Sequence, residues 1–583
     1  MTTAEIPDVK PPHKRLHFVL REAWRIAKPY WFSEEKWSAL ALLVLVVVLN
    51  LATVGLDVRF NYWRNDFYNT FQNFDESGFF FQIWTFFWLA MIWITVGVSL
   101  DFFMSWLQIR WRRWLTNHYL KRWMSHRAYY RLQLTGDTDN PDQRIAEDVR
   151  FYIETTFGLT LTLIRRVVSL FSFALILWSL SGPLAIGSVT VPRAMVWLTL
   201  IYAAVGTVFA VKIGRPLVGL NFDQQRFEAD FRYTLVRLRE HTESVAFYRG
   251  EEREYEHFGR RFADIFQNRI AIMWRTLKLS SFTSFIGQAT VIFPFLVQAP
   301  RFFVTKEIQF GDLIQTADAF NKVYESLSFI IDTYDSIARW QSIVTRLVTF
   351  DNRVEEIESG MDGTGEIAVA RGGTGLEVED LALDLPNGQP LVAGVGFKAD
   401  PASSLLITGP TGVGKSTVLR AIAGLWPFGR GRLRLAEGNV FFVPQKPYLP
   451  LGTLRQALAY PDDGSKIPDE KLKAALATVG LSALAGELDA TDLWSQRLSL
   501  GEQQRIAFAR VFLEEPKVVF LDEATSALDE ASEARFYRML REAPWQPTVV
   551  SVGHRSTLKA LHEHALDLTG LSRLRTAASP APS

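Results

Sequence analysis

The sequence predicts two parts of different class, a helical membrane domain of six spans and, after it, an α/β domain built on a parallel sheet. Three observations predict this. Long apolar runs crowd the chain up to about residue 347 and then stop. From about residue 376, short β-branched or apolar runs (LEVEDLALDL, SSLLITG, NVFFVP, KVVFLD, TVVSVG) alternate with helical stretches, the pattern of a parallel sheet. Between one such run and a helical stretch stands a glycine-rich loop, Gly409 to Ser416. Composition agrees with a chain half in lipid and half in water: 48% hydrophobic, 13% aromatic, with a mean hydropathy of only +0.06. Net charge is +1, so no bulk field points to nucleic acid as a partner. The absence of cysteine excludes disulfides, thiolate metal sites and cysteine nucleophiles. The N-terminal MTTAEIPDVKPPHKR has no apolar core or cleavage site, so no removable signal peptide is expected.

The spans are expected at about 37–58, 79–106, 159–181, 188–213, 280–303 and 315–347, each long enough to cross about 30 Å of hydrocarbon. The sixth is the most polar. Basic residues orient them. Arg110, Arg112, Arg113, Lys121, Arg122, Arg127 and Arg131 follow the second span, and Lys212 through Lys278 follow the fourth. The other connections are short or poor in Lys and Arg, so both termini and the two long connections lie on the cytoplasmic side. Each long connection reads as two helical extensions with a turn between them, at LTGDTDNPDQR and near HTESVAFYRG. Residues 1–36 hold an amphipathic stretch, LHFVLREAWRIAKPYW, expected to lie on the inner membrane surface; an ordinary cytoplasmic helix is the alternative. Residues 348–375 read as a Gly-rich linker, 376–572 as the α/β domain and 573–583 as a disordered tail.

The chemistry sits in the second half. Gly409, Pro410, Thr411, Gly412, Val413, Gly414, Lys415 and Ser416 fit G-x-x-x-x-G-K-[ST] between the strand SLLIT and the helix beginning at Ser416 and Thr417. Such a loop turns backbone N–H groups toward phosphate oxygens at a helix N-terminus. Lys415 is expected on the β- and γ-phosphates and Ser416 on Mg²⁺. KVVFLDE is a buried strand ending in two carboxylates: Asp522 to hold Mg²⁺ and Glu523 to polarise the attacking water.

These residues carry a resemblance. LSLGEQQR, Leu498 to Arg505, is similar to the ATP-binding cassette (ABC) signature, and VVFLDEATSALDE follows it directly. The second half resembles the ABC ATPases. By that resemblance Gln445 is the Q-loop glutamine, a sensor of metal and water. Ser526 to Asp529 form the D-loop, and His554 is the switch histidine. Ser499, Gly501 and Glu502 contact the ATP held by a second subunit, so a homodimer with two composite sites is implied. Leu500 and Glu502 depart from the usual glycine and glutamine. Leu385 stands where an adenine-stacking aromatic is usual, which leaves adenine to apolar contact.

In the membrane half, FNYWRNDFYNTFQ, NPDQRIAED, EADFR and ESVAFYRG resemble SbmA/BacA-type bacterial transporters, including YddA-type fused half-transporters, and peroxisomal subfamily D transporters. That implies an exporter-type bundle in the inner (plasma) membrane, with the ATPase domain cytoplasmic. It implies coupling helices near 142–150 and 241–248, and a cargo of peptides or cobalamin-like solutes, alternatively long-chain acyl-CoA. Asp318, Asn321, Glu325, Asp332 and Asp335 suggest an acidic cavity along the sixth span; a cytoplasmic extension carrying some of them is the alternative.

Overall fold

The computed structural model describes residues 16–135, 140–186, 189–359, 367–372 and 375–571. The first 15 residues, much of the Gly-rich segment and the tail at 573–583 lie outside the described residues. The chain divides into two compact units, Met1–Lys121 with Asn140–Asp351, and Arg122–Asp139 with Asn352–Ser583.

The first unit is a helical bundle: α1 (Leu16–Trp31), α2 (Lys36–Gln72), α3 (Glu76–Met124), then, past α4 (Ala128–Thr135) of the second unit, α5 (Val149–Leu180), α6 (Ala194–Glu240), α7 (Thr242–Tyr248), α8 (Glu251–Ala299), α9 (Phe310–Asp332) and α10 (Tyr334–Glu358). Among the described residues, five helical segments are long and apolar enough to cross a membrane: Lys36–Gln72, Glu76–Leu134, Pro141–Leu180, Ala194–Glu240 and Glu251–Val304. The sixth expected span, 315–347, is not among them: it is divided at Thr333 between α9 and the start of α10, yet α9 packs against α2, α5, α6 and α8. Its Ala319, Phe320 and Val323 are buried with Phe173, Ile176 and Leu177 of α5 and Met195 of α6. A helix surrounded by other helices can carry polar groups that a lipid-facing one cannot, and this accounts for its weak apolar signal. By contrast α3 presents Phe80, Phe81, Trp84, Phe87 and Trp88 outward, as a lipid-facing helix does.

Two boundaries differ from expectation. The turn before the fourth span is a small hairpin, Leu184–Ile186 paired with Val189–Val191, so α6 starts at Ala194 rather than near 188. At the other end, α10 runs on to Glu358, so the supposed linker from 348 begins as helix. The amphipathic stretch does form a helix, but Val19, Ala23, Ile26, Ala27 and Tyr30 are buried. Tyr30 stacks on Trp111 at 5.7 Å, and the Tyr152 hydroxyl donates to the Ala23 carbonyl at 2.6 Å. Protein rather than lipid covers that stripe; Leu20 and Trp24 on the other side are half-exposed.

Just before α5 the chain makes a π-helical turn, Arg144–Asp148. Its Asp148 is buried and accepts from Arg144 Nη1 at 2.9 Å and from Arg346 of α10 at 2.6 and 2.8 Å. Removing a buried charge's partner leaves the other charge uncompensated, a loss of about 3 kcal/mol. Asp148→Asn is therefore expected to lower the thermal unfolding midpoint of the membrane domain, measured on detergent-purified protein; an unchanged midpoint contradicts this.

The second unit has two sheets. Five parallel strands, β1 (Ser404–Thr408), β2 (Val440–Val443), β3 (Val518–Asp522), β4 (Thr548–Val552) and β5 (His564–Asp567), lie in the order β5-β1-β4-β3-β2. All five residues of β4 are buried, as strands covered on both faces are. Phe442 and Phe520 stack across β2 and β3 at 4.4 Å. A second sheet runs Ile367–Arg371, Gly429–Leu435, Leu376–Asp384, Pro390–Ala399, antiparallel except for its first pair.

Behind β4, His562 is held by the Leu558 carbonyl at Nδ1 and the Ser551 hydroxyl at Nε2, both at 2.8 Å. Burial pushes its pKa down from the ordinary 6.5. The unfolded chain then takes up a proton that the folded one resists, so stability is complete above pH 6.5 and declines as pH falls below it. The shifted carboxylates, Glu358 and Glu502 among them, lie below 4.5 and titrate outside this window. The unfolding midpoint of the ATPase domain is expected to drop between pH 7 and pH 5.5, with the drop reduced in His562→Gln; equal drops in both refute it.

Candidate nucleotide site

The glycine-rich loop leaves β1 and enters α11 (Lys415–Ile422). Gly414 sits at φ +106°, and a Cβ there would lie 3.1 Å from Leu391, so only glycine fits. Lys415 is 5% exposed, and its ammonium donates to the Gly409 and Pro410 carbonyls at 2.9 Å. Burial lowers its pKa, while Glu523 and Asp522 oppose that shift.

At the C-terminal end of β3 the Ser416 hydroxyl donates to Asp522 Oδ1 at 2.8 Å. One residue on, Glu523 adopts φ +49°, a region unfavourable for a side chain other than glycine and a recurrent sign of functional strain. Gln445 Nε2 donates to Glu523 Oε2 at 2.8 Å, and His554 Nε2 lies 3.3 Å from Glu523 Oε1. Residues 445, 523 and 554, far apart in the chain, thus meet on one carboxylate. The Gln445 amide is engaged with Glu523 rather than with Ser416 or Asp522, although Ser416, Gln445 and Asp522 line one hollow. Arg127 and Tyr130 line the same hollow, and Arg127 Nη1 donates to the Ala423 carbonyl at the end of α11, at 2.7 Å.

The signature is structured as a helix start. Ser499 caps α12 (Leu500–Glu514), and Glu502 completes a capping box. Glu502 Oε2 accepts from the Ser499 N–H at 2.9 Å and hydroxyl at 2.8 Å, and these bonds hold its pKa below the ordinary carboxylate value. Glutamate in place of glutamine is thereby explained locally, since either serves at this capping position. A Cβ on Gly501 would come 3.1 Å from the Ala527 carbonyl, so glycine permits the D-loop to pass closely. Thr411, Gly412, Val413 and Thr417 complete the loop and first helical turn. Leu385 lines a hollow with Pro386, Pro390, Val392 and Phe428, and with Asp384 and Arg430 at its polar side.

Two residues were missed in the sequence. Gln504, fully buried, donates to the Gln445 carbonyl at 3.1 Å and the Ser526 hydroxyl at 3.2 Å, and accepts from the Ala527 N–H at 3.0 Å. It ties the Q-loop to the D-loop. Arg555 donates to the Ser526 and Leu528 carbonyls at 2.8 Å. Their only signal in the sequence was adjacency to the signature and to His554.

The comparisons complete the picture. The chain matches the family model "ABC transporter transmembrane region 2" over residues 26–303 and the "ABC transporter" model over 392–526. It is 35% identical to the chloroplastic ABC transporter D family member 2 of Arabidopsis thaliana, over 97% of this chain and 88% of that protein. The chain belongs to the ABC transporter family. This ABC transporter is also 30% identical to the human lysosomal cobalamin transporter ABCD4, over 96% of each chain. Its fold matches a bacterial Atm1-family ABC exporter solved with ATP bound, at a TM-score of 0.67 and 17% identity, covering 92% of this chain and 93% of that one. It is therefore a fused half-transporter of exporter-type fold, a multi-pass membrane protein whose ATPase domain couples ATP hydrolysis to transport and which functions through dimerisation.

Within the first cytoplasmic connection, Arg122–Asp139 groups with the ATPase unit, and 142–150 groups with the membrane unit. Helix α3 breaks there, at His126 and Arg127, both with positive φ, and α4 follows. Residues 142–150 stay with the membrane unit, anchored through Asp148.

Proposed function

We propose that this transporter moves bulky hydrophilic solutes, peptides or cobalamin-like molecules, across the inner (plasma) membrane as a homodimer. The observation that carries the cargo class is that α9, packed against four other helices and too polar to rank with the apolar spans, still leaves Glu325 half exposed. A path for acyl chains has no use for such a helix. The similarity to a cobalamin transporter supports the same reading. Long-chain acyl-CoA is the second reading, favoured by the subfamily D kinship.

At the ATPase site, Gly409 to Thr417 cradle the ATP phosphates, with Lys415 turning from its loop carbonyls to the β- and γ-oxygens. Ser499, Gly501 and Glu502 of one subunit face the ATP of the other. Among the described residues no group of three or more His, Asp or Glu forms a metal cage. Ser416 and Asp522, two hard oxygen donors in contact, fit Mg²⁺, which takes few protein ligands and completes its shell with phosphate and water. When bound, it neutralises phosphate charge. Glu523 then holds the attacking water, while Gln445 and His554 fix the carboxylate's orientation. Adenine rests in the hollow at Leu385, against Leu385 and Phe428.

Uptake of labelled peptide, cobalamin and palmitoyl-CoA into liposomes carrying the purified protein, with Glu523→Gln as the inactive control, tests the cargo. ATP-dependent movement of palmitoyl-CoA alone overturns the preferred reading.

A further inference from the structure

The sequence motif FNYWRNDFYNTFQ has a use that the ATPase cycle does not account for. On α2 it separates two faces. Phe60, Trp63 and Phe67 pack on Phe79 and Phe86 of α3 at 5.0 to 6.1 Å, the helix whose other aromatics point outward. The opposite face repeats every four residues: Asp57, Asn61, Asn65 and Asn69. This face meets α9. Asn61 Nδ2 donates to Asp318 at 2.7 Å, Asn65 Nδ2 donates to Asp312 and Gln315 at 2.7 Å, and Asn69 Oδ1 accepts from the Gly311 N–H at 2.8 Å.

Charged side chains continue the polar face onto α5. Asp57 pairs with Arg165 at 3.3 Å and with Lys322 at 3.4 Å. Arg64 pairs with Asp318, and Arg166 with Glu325 at 3.0 Å. The acidic residues Asp318 and Glu325 therefore do not form the acidic cavity expected from the sequence; each is matched by a cation. The side chains of Asp332 and Asp335 lie outside the described residues.

The pairs are not equally enclosed. In the Asp57–Arg165 and Asp318–Arg64 pairs the acid is enclosed, 15% and 16% exposed, and only the base is open, 40% and 39%; in Arg166–Glu325 both members are open, 31% and 50%. A charge on a membrane span is too costly to leave facing hydrocarbon. The open pair must face a watery path, as α3 faces lipid on the other side.

We propose that Arg166 and Glu325 are the cargo-contacting pair of the translocation path, and that they select solutes presenting an anionic and a cationic group together. The inference rests on the hydrophilic-cargo reading above. A zwitterionic solute replaces the internal ion pair with two new ones. A solute of one sign satisfies one partner and strands the other, and an acyl chain satisfies neither. An unmatched partner costs as much as a lost charged hydrogen bond, enough for about a tenfold preference.

The test uses full-length protein in liposomes and one short peptide with uncharged side chains in three forms: free termini, N-acetylated and C-amidated. Wild type is expected to take up the free-termini form about tenfold faster than either capped form. Arg166→Gln should erase the preference for a free carboxylate and Glu325→Gln the preference for a free amine, while the exchange R166E/E325R retains both. These are ratios within one preparation, so a lower yield of folded variant does not move them. Equal uptake of all three peptides by wild type, or ratios unchanged in both single variants, overturns the selection while leaving the hydrophilic-cargo reading intact. Uptake of palmitoyl-CoA with no uptake of any peptide overturns both.

Discussion

Glu523→Gln is expected to lower ATP turnover by about a hundred- to ten-thousand-fold, the usual contribution of a positioned general base, while leaving ATP binding close to wild type. Glutamine has the same shape and can keep contacts with Gln445 and His554, which lie at 2.8 and 3.3 Å. It lacks the negative charge that polarises water. The strained φ of +49° at this position is retained, so the variant isolates charge from geometry. Phosphate release by full-length protein in lipid nanodiscs, alongside binding of a fluorescent ATP analogue, separates the two effects. Turnover within about threefold of wild type, less than any general-base contribution, removes Glu523 from the chemistry.

Lys415→Met should act earlier, at binding. The ammonium is nearly enclosed and already partnered by two loop carbonyls, so it is organised to accept phosphate oxygens with little further ordering. Charged hydrogen bonds contribute about 1.5–3 kcal/mol each, and losing those to two phosphates lowers ATP affinity about a hundredfold or more. Methionine fills similar space but leaves the Gly409 and Pro410 carbonyls without that donor. Titration with the same ATP analogue reads the loss. An affinity within about threefold of wild type, at an unchanged unfolding midpoint, contradicts the assignment of Lys415 to the phosphates.

Much of this architecture was legible in the chain. Five spans announced themselves because lipid-facing helices must be apolar along their length. The sixth was faint for a physical reason: α9 pairs its polar groups with Asn61, Asn65 and Arg64 of α2 and with Arg166 of α5, and no sequence window sees its neighbours. The amphipathic stretch α1 was legible as a helix but not as to what covers it, because lipid and protein reward the same apolar stripe. Gln504 and Arg555 were invisible as functional residues; Gln504 reaches backbone groups of the Q-loop and D-loop and Arg555 those of the D-loop, and backbone partners leave no residue-type signature.

The local sequence alone fixed the phosphate loop, the strand ending in Asp522 and Glu523, and the helix start at Ser499, since each depends on contacts among near neighbours: glycines that permit positive φ, a strand end, a capping box. Tertiary structure alone decided that Gln445 and His554 meet on the Glu523 carboxylate, that Asp148 joins α10, and that Asp318 and Glu325 of α9 are matched by cations. Those outcomes depend on charges brought together across long stretches of chain. The free energy of a buried charge is set by what stands beside it in space, and its sequence neighbours do not report that.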